Sequence, residues 1–248
     1  MNKKINILVS GYGNLGHHIY KALYSSGRFN IKIISKTYKK NLPSKFIPDL
    51  IWVLKKDEYV KKEIYRLKKL FPYALFVSSS AAIDINEIKV DSLVTLYPLG
   101  TFKKNHLGNV LRRSPFFLEF GSHISEDHKK TIKEVCIALG IKPVELSYKE
   151  RIKLHLAAVF ANNFTNAIMH AAVGLAGKNA KYLLPIIQQT FENIQKLNPA
   201  ITQTGPAVRS DLNTIRKHLD FLADQKELKK IYITITDYIK NHVRKNGI

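Results

Sequence analysis

The chain has 248 residues, 45% of them hydrophobic, with 12 glycines, 9 prolines and a single cysteine. A chain of this length can bury roughly 70–75% of its unfolded surface without a staple, and one cysteine, Cys136, excludes internal disulfides and multi-cysteine zinc sites and fits a reducing cytoplasm. Forty Lys and Arg against 19 Asp and Glu give a formal charge of +21; such an excess can mark a nucleic-acid partner, but these lysines are dispersed along the whole chain, so nucleic acid ranks last among the readings.

Taken in order, the first apolar run, Ile5–Ser10, ends at Gly11 and suits a buried parallel strand. It is too short for the core of a signal peptide. Leu15, Ile19, Ala22 and Leu23 then recur at helical spacing, with Gly27 closing the helix. Residues 31–35 and 50–54 read as the second and third strands. Val60, Ile64, Leu67 and Phe71 form the inner stripe of a helix whose outer face carries Lys61, Lys62, Lys68 and Lys69. Strands follow at 74–77, 93–97 and 116–120, then a helix over 125–140 with Ile132, Val135, Cys136 and Leu139 inside, then a short strand at 143–146. Strands alternating with helices predict a doubly wound, mostly parallel α/β sheet over residues 1–148.

After Tyr148 the pattern turns all-helical, so 149–248 is expected to be a helical domain for substrate binding or dimerisation. Its first helix runs from 150 to about 174 and is apolar on most faces, which predicts burial; its lysine, histidines and asparagines make it a poor membrane span. Further helices are expected over 184–197, from Leu212 behind an Asp211 cap, and through Leu228–Ile239.

The strongest motif is Gly11-Tyr12-Gly13-Asn14-Leu15-Gly16, a GxGxxG that follows a strand and opens a helix. Gly11 makes the tight turn, Gly13 lets the backbone approach a pyrophosphate, and Gly16 lets helix and strand pack closely. The amides of Asn14, Leu15 and Gly16 then face the phosphates at a positive helix end. This predicts a Rossmann dinucleotide-binding domain. An acidic residue about 20 positions on would mark NAD, but the segment there is Ser35-Lys36-Thr37, whose hydroxyls and ammonium group suit a 2′-phosphate. NADP is therefore expected over NAD.

His155, Asn162, Asn163 and Asn166 lie in the long apolar helix, with Asn162 and Asn166 on one face. If buried they need partners, and either a substrate or helix packing can supply them. Arg209, in Thr204-Gly205-Pro206-Ala207-Val208-Arg209-Ser210-Asp211, can hold a carboxylate or phosphate bidentately, or pair with Asp211. The histidines show no metal-ligand spacing with carboxylates, so no metal is expected.

Leu154-His155-Leu156-Ala157-Ala158-Val159-Phe160-Ala161-Asn162-Asn163-Phe164-Thr165-Asn166 and Thr204-Gly205-Pro206-Ala207-Val208-Arg209, with Tyr97-Pro98-Leu99 and Thr101-Phe102, resemble a bacterial family that joins a Rossmann-like domain to a C-terminal domain of unknown function (2520). The resemblance runs over essentially the whole chain. It implies an architecture similar to 6-phosphogluconate dehydrogenase, ketopantoate reductase and pyrroline-5-carboxylate reductase, with cofactor and substrate meeting between the domains and the helical domain supporting a homodimer. Two departures stand out. Ser78-Ser79-Ser80-Ala81-Ala82 occupies the place of the family's usual His-x-Ser-Gly-Ser, and Val159 stands where the β-hydroxyacid dehydrogenase relatives carry a catalytic lysine.

The expectation is a cytoplasmic NADP-dependent oxidoreductase acting on a small anionic keto or imino compound. Gly11, Gly13, Asn14, Leu15, Gly16, Ser35, Lys36, Thr37 and Ser80 would hold the cofactor; His155 would donate the proton; Asn163 and Asn166 would orient the substrate; Thr204 and Arg209 would hold its acid group. The alternative is a protein that binds or senses NADP without catalysis.

Overall fold

A computed structural model of the protein describes residues 4–35, 46–105 and 110–243. Its elements begin with β1 (Ile5–Ser10), α1 (Asn14–Ser25), β2 (Phe29–Ile34), β3 (Leu50–Val53), α2 (Asp57–Leu70), β4 (Leu75–Ser78), β5 (Leu93–Pro98), α3 (Val110–Arg113), β6 (Phe116–Phe120), α4 (Glu126–Leu139) and β7 (Val144–Glu145). They form one seven-stranded sheet in the order β2-β1-β3-β4-β5-β6-β7. β1 to β5 are parallel, and β6 pairs antiparallel with β5.

The central strands are continuous apolar runs because both faces are covered. Successive side chains point to opposite faces. Val9, Trp52, Val77 and Leu96 therefore pack with Ile19 and Leu23 of α1 and with Ile132, Val135 and Leu139 of α4, while Leu8, Ile51, Phe76 and Leu93 pack with Val60, Ile64 and Leu67 of α2. α4 has sharp ends: Ser125 accepts from the His128 amide, and Gly140 stops the helix at φ 68°.

The remaining elements are α5 (Tyr148–Ala158), a π-helical stretch (Val159–Phe164), α6 (Thr165–Ala176), a 3-10 stretch (Gly177–Leu183), α7 (Leu184–Lys196), α8 (Pro199–Thr202), α9 (Leu212–Phe221) and α10 (Lys226–Val243). Among the described residues no helix is long and apolar enough to cross a membrane.

The chain divides into two compact units, Met1–Ala161 and Asn162–Ile248. The change of sequence character at Tyr148 marks the start of a helix, whereas α5 itself belongs with the sheet, tied to it by Arg151 and His155. The helix expected from 150 to about 174 is present as helical backbone from Tyr148 to Ala176, with π pairing over Val159–Phe164. The expected burial of that helix is corrected: Arg151 is its one buried residue among those described, and Leu156, Phe160, Phe164 and Val173 are exposed.

Candidate functional site

The glycine turn is built by close packing on two sides and open space on the third. Gly11 sits at φ 117°, and a Cβ there would lie 2.0 Å from the Leu54 carbonyl oxygen. A Cβ on Gly16 would lie 2.4 Å from the Gly11 oxygen. Gly13 differs: its φ of −74° suits any residue, and a Cβ would meet nothing within 4 Å. Steric demand at Gly11 and Gly16 is thus internal to the fold, while Gly13 leaves room for something outside it. α1 begins at Asn14 with no side-chain cap, so its first-turn amides are left for an external acceptor.

This turn lines a cleft of about 570 Å³ at the carboxyl ends of β1 and β3, where the strand order reverses and α/β sheets bind their ligands. Gly11, Gly13, Asn14, Leu15, Gly16, Ser35 and Ser80 all line it; Lys36 and Thr37 lie outside the described residues. Sequence reading missed Lys55, Lys56, Tyr12 and Ser79, which also line it. The two lysines lie between β3 and α2, at the switch point.

Beneath the turn, the buried Ser10 hydroxyl donates to Glu63 Oε1 at 2.5 Å. Arg66 donates to the same carboxylate at 2.8 and 3.0 Å, and Lys55 Nζ stands 3.9 Å away. The Arg66 hydrogen bond, joined by Ser10 and Lys55, holds the Glu63 carboxyl below its ordinary range against the opposing effect of burial. Glu63 thereby pins α2 to the floor and keeps Lys55 at the wall. On the other side, the Tyr12 hydroxyl and His17 Nδ1 are 3.2 Å apart, and Lys104 Nζ lies 5.3 Å from the Tyr12 ring centroid. Burial, and then the charges of His18, Lys21 and Lys104, lower the His17 imidazole. Lys55 and Lys56 line the cleft with Asp57 and Lys104 stands by Tyr12, so cations outnumber anions beside the positive end of α1 and an anion is favoured there.

The serine turn after β4 is tied to its surroundings. Ser79 accepts from Trp52 Nε1 and donates to the Leu96 carbonyl, both at 2.8 Å. Ser78 Oγ accepts from the Ser80 amide at 3.3 Å, and Ser80 Oγ from the Ala82 amide at 3.1 Å. Arg151, also missed from sequence, locks α5 onto this turn. Fully buried, it donates to Glu119 of β6, to the Ala81 carbonyl at 3.3 Å and to the Ile83 carbonyl at 2.7 Å. One helical turn on, His155 Nδ1 lies 2.9 Å from the Tyr97 hydroxyl at the end of β5. His155 is thus set at the carboxyl edge of the sheet, on the same helix face that Arg151 anchors to the serine turn.

In the second unit, Asn163 and Asn166 are exposed, so the need for partners that burial would impose does not apply to them. The π stretch also changes the register: its i→i+5 bonding widens the turn, so the α spacing that puts Asn162 and Asn166 on one face is not kept. Thr204 edges an apolar groove of about 290 Å³ between α6 and α10, with Ile168, Leu175 and Ile235. Arg209 is exposed. Its charge acts on Asp211, whose carboxyl is lowered chiefly by the Thr214 amide it caps.

The family model described as Domain of unknown function (DUF2520) matches residues 115–239. No curated protein matches the chain. Among solved structures, a "putative NADP oxidoreductase" from Bacteroides fragilis is 27% identical, covering 96% of this chain and 98% of its own, with a TM-score of 0.82. A protein of Thermotoga maritima is 19% identical over 98% of this chain and 100% of its own, with a TM-score of 0.65. The NADP-bound pyrroline carboxylate reductase of Plasmodium falciparum is 13% identical over 95% and 98%, with a TM-score of 0.58. The latter two likenesses are of fold.

Proposed function

The chain belongs to the DUF2520 family, and from that premise we propose that it is an NADP-dependent oxidoreductase for a small anionic keto or imino compound, or for the corresponding hydroxy or amino compound. The observation that carries the reading is the glycine turn: crowded at Gly11 and Gly16, open at Gly13, and followed by an uncapped helix start among cations. These features fit a dinucleotide diphosphate. The amides of Asn14, Leu15 and Gly16 hold the diphosphate, and Lys55 and Lys56 add charge to the wall. Ser35, with Lys36 and Thr37 from the sequence, receives the 2′-phosphate.

NADPH, when bound, supplies the reducing equivalent. The protein's own part is to place and polarise the substrate. His155 donates to the substrate's oxygen or nitrogen, Asn163 and Asn166 orient it, and Thr204 and Arg209 hold its acid group. Titrating the protein with NADPH, with a panel of keto acids and cyclic imines added, tests this by nicotinamide absorbance. A second reading, cofactor binding without turnover, is supported by the serine turn, whose hydroxyls are engaged within the fold. Tight NADPH binding with no oxidation across the panel favours it.

The second unit is proposed to form a homodimer. Among its described residues only Ala207, Ile215, Leu222 and Thr236 are buried, far fewer than an independent helical unit needs. The exposed Phe164, Val173 and Leu175 want a cover that a second copy provides. With its one cysteine buried and unpaired, the protein suits the reducing cytoplasm, where we place it.

A further inference from the structure

We propose that Tyr97 is a positioning residue that fixes the ring orientation and tautomer of His155, so that Nε2 always presents a proton to the substrate. The inference rests on the reading of His155 as the donor in an oxidoreductase and adds the group that acts through it.

Both partners of this dyad are held by rigid elements. Tyr97 belongs to β5, lies opposite Phe117 in the β6 register and stacks on that ring at 6.4 Å between centroids. His155 belongs to α5, whose preceding turn is fixed by the buried Arg151. The two rings meet edge-on, 5.8 Å between centroids and 82° between planes, with the hydroxyl 2.9 Å from Nδ1. The Tyr97 side chain is buried, whereas His155 is half-exposed.

The consequences follow from hydrogen-bond chemistry. Burial pushes the phenol up to about 12, against the pull of the Arg151 charge, so it keeps its proton across the neutral range. The buried Tyr97 hydroxyl has no other hydrogen-bond partner among the described residues, so its proton is satisfied only by donating to Nδ1 of the neutral imidazole, which then carries its own proton on Nε2. When the ring is protonated, Nδ1–H donates to the phenol oxygen instead, and Nε2 again bears a proton. The hydroxyl serves both states because it can donate and accept. Nε2 is therefore an N–H in either state, turned away from Tyr97, and a fixed N–H is what stabilises charge developing on a carbonyl oxygen or imine nitrogen.

The test is nitrogen NMR of the His155 ring, with Tyr97→Phe as the variant, since Phe keeps the ring stacking and removes only the hydroxyl. In the wild type the neutral ring is expected as a single Nε2–H tautomer; in Tyr97→Phe the Nδ1–H form mixes in. On whichever panel compound the wild type turns over, kcat is expected to fall about ten-fold or more in the variant, with NADPH affinity unchanged. A wild-type ring protonated on Nδ1 when neutral overturns the proposal without any variant, as does unchanged tautomerism or unchanged kcat in Tyr97→Phe. Failure of the wild type to bind NADPH is a different result: it refutes the functional reading, and the proposal with it.

Discussion

Gly11 and Gly13 stand two residues apart in one turn, yet the structure assigns them separate burdens, and alanine at each should separate fold from binding. At Gly11 a methyl group would stand 2.0 Å from a backbone carbonyl at φ 117°. The conformation alone costs of order 1–3 kcal/mol for an L-residue, and overpacking against an immovable carbonyl adds about 1–3 kcal/mol. Gly11→Ala should therefore lose roughly 2–6 kcal/mol of stability, enough to unfold a marginal domain. At Gly13 a methyl group meets nothing within 4 Å and φ is −74°, so Gly13→Ala should hold its stability or gain up to about 1 kcal/mol through the unfolded state. The same methyl group would occupy the space a diphosphate needs, and NADPH affinity should fall at least about ten-fold, a difference of about 1.4 kcal/mol. Urea denaturation and calorimetric titration of both variants read the two effects. A Gly13→Ala protein that binds like the wild type, or a Gly11→Ala protein of undiminished stability, refutes the reasoning.

Arg151→Ala leaves the partly buried Glu119 without its cation and the Ala81 and Ile83 carbonyls without their donor, and should cost up to about 3–5 kcal/mol in urea denaturation; a loss under 1 kcal/mol would show the pair to be dispensable. Cys136 is buried and its thiol is pushed up to about 12 by desolvation, so a thiol reagent should label it only on unfolding; fast labelling of the native protein would contradict that. Glu63 has a lowered folded pKa; it contributes stability that is present above its ordinary value of 4.5 and lost as pH falls through the folded value. Glu63→Gln should accordingly flatten the acid limb of the stability curve, and an unchanged limb would count against the role given to this carboxylate. Light scattering should give twice the chain mass of 28.3 kDa, and a monomer at every accessible concentration would remove the proposed dimer.

The parts of the fold that depend on local pattern were legible in the residues. Leu8-Val9, Ile51-Trp52 and Phe76-Val77 alternate between two covered faces, so they read as unbroken apolar runs. The glycine spacing, the Asp211 cap and the Ser125 to Gly140 helix are likewise local chemistry. What depended on distant partners was not legible. Arg151 looks like a solvent-facing charge until Glu119 and two carbonyls arrive from 32 to 70 positions away. Lys55 and Lys56 look like helix decoration until β3 is placed beside β1. The π stretch has no periodicity of its own to betray it, so the α spacing that puts Asn162 and Asn166 on one face does not hold through it. The apolar character of α6 predicts burial, yet Val173 and Leu175 are exposed.

The most direct trial of the account is parallel calorimetric titration of the protein with NADPH and NADH. One site per chain is expected, with NADPH the tighter ligand by about ten-fold or more and the difference weakening as salt screens the lysines. Absence of heat with either dinucleotide, or NADH bound the more tightly, would contradict it.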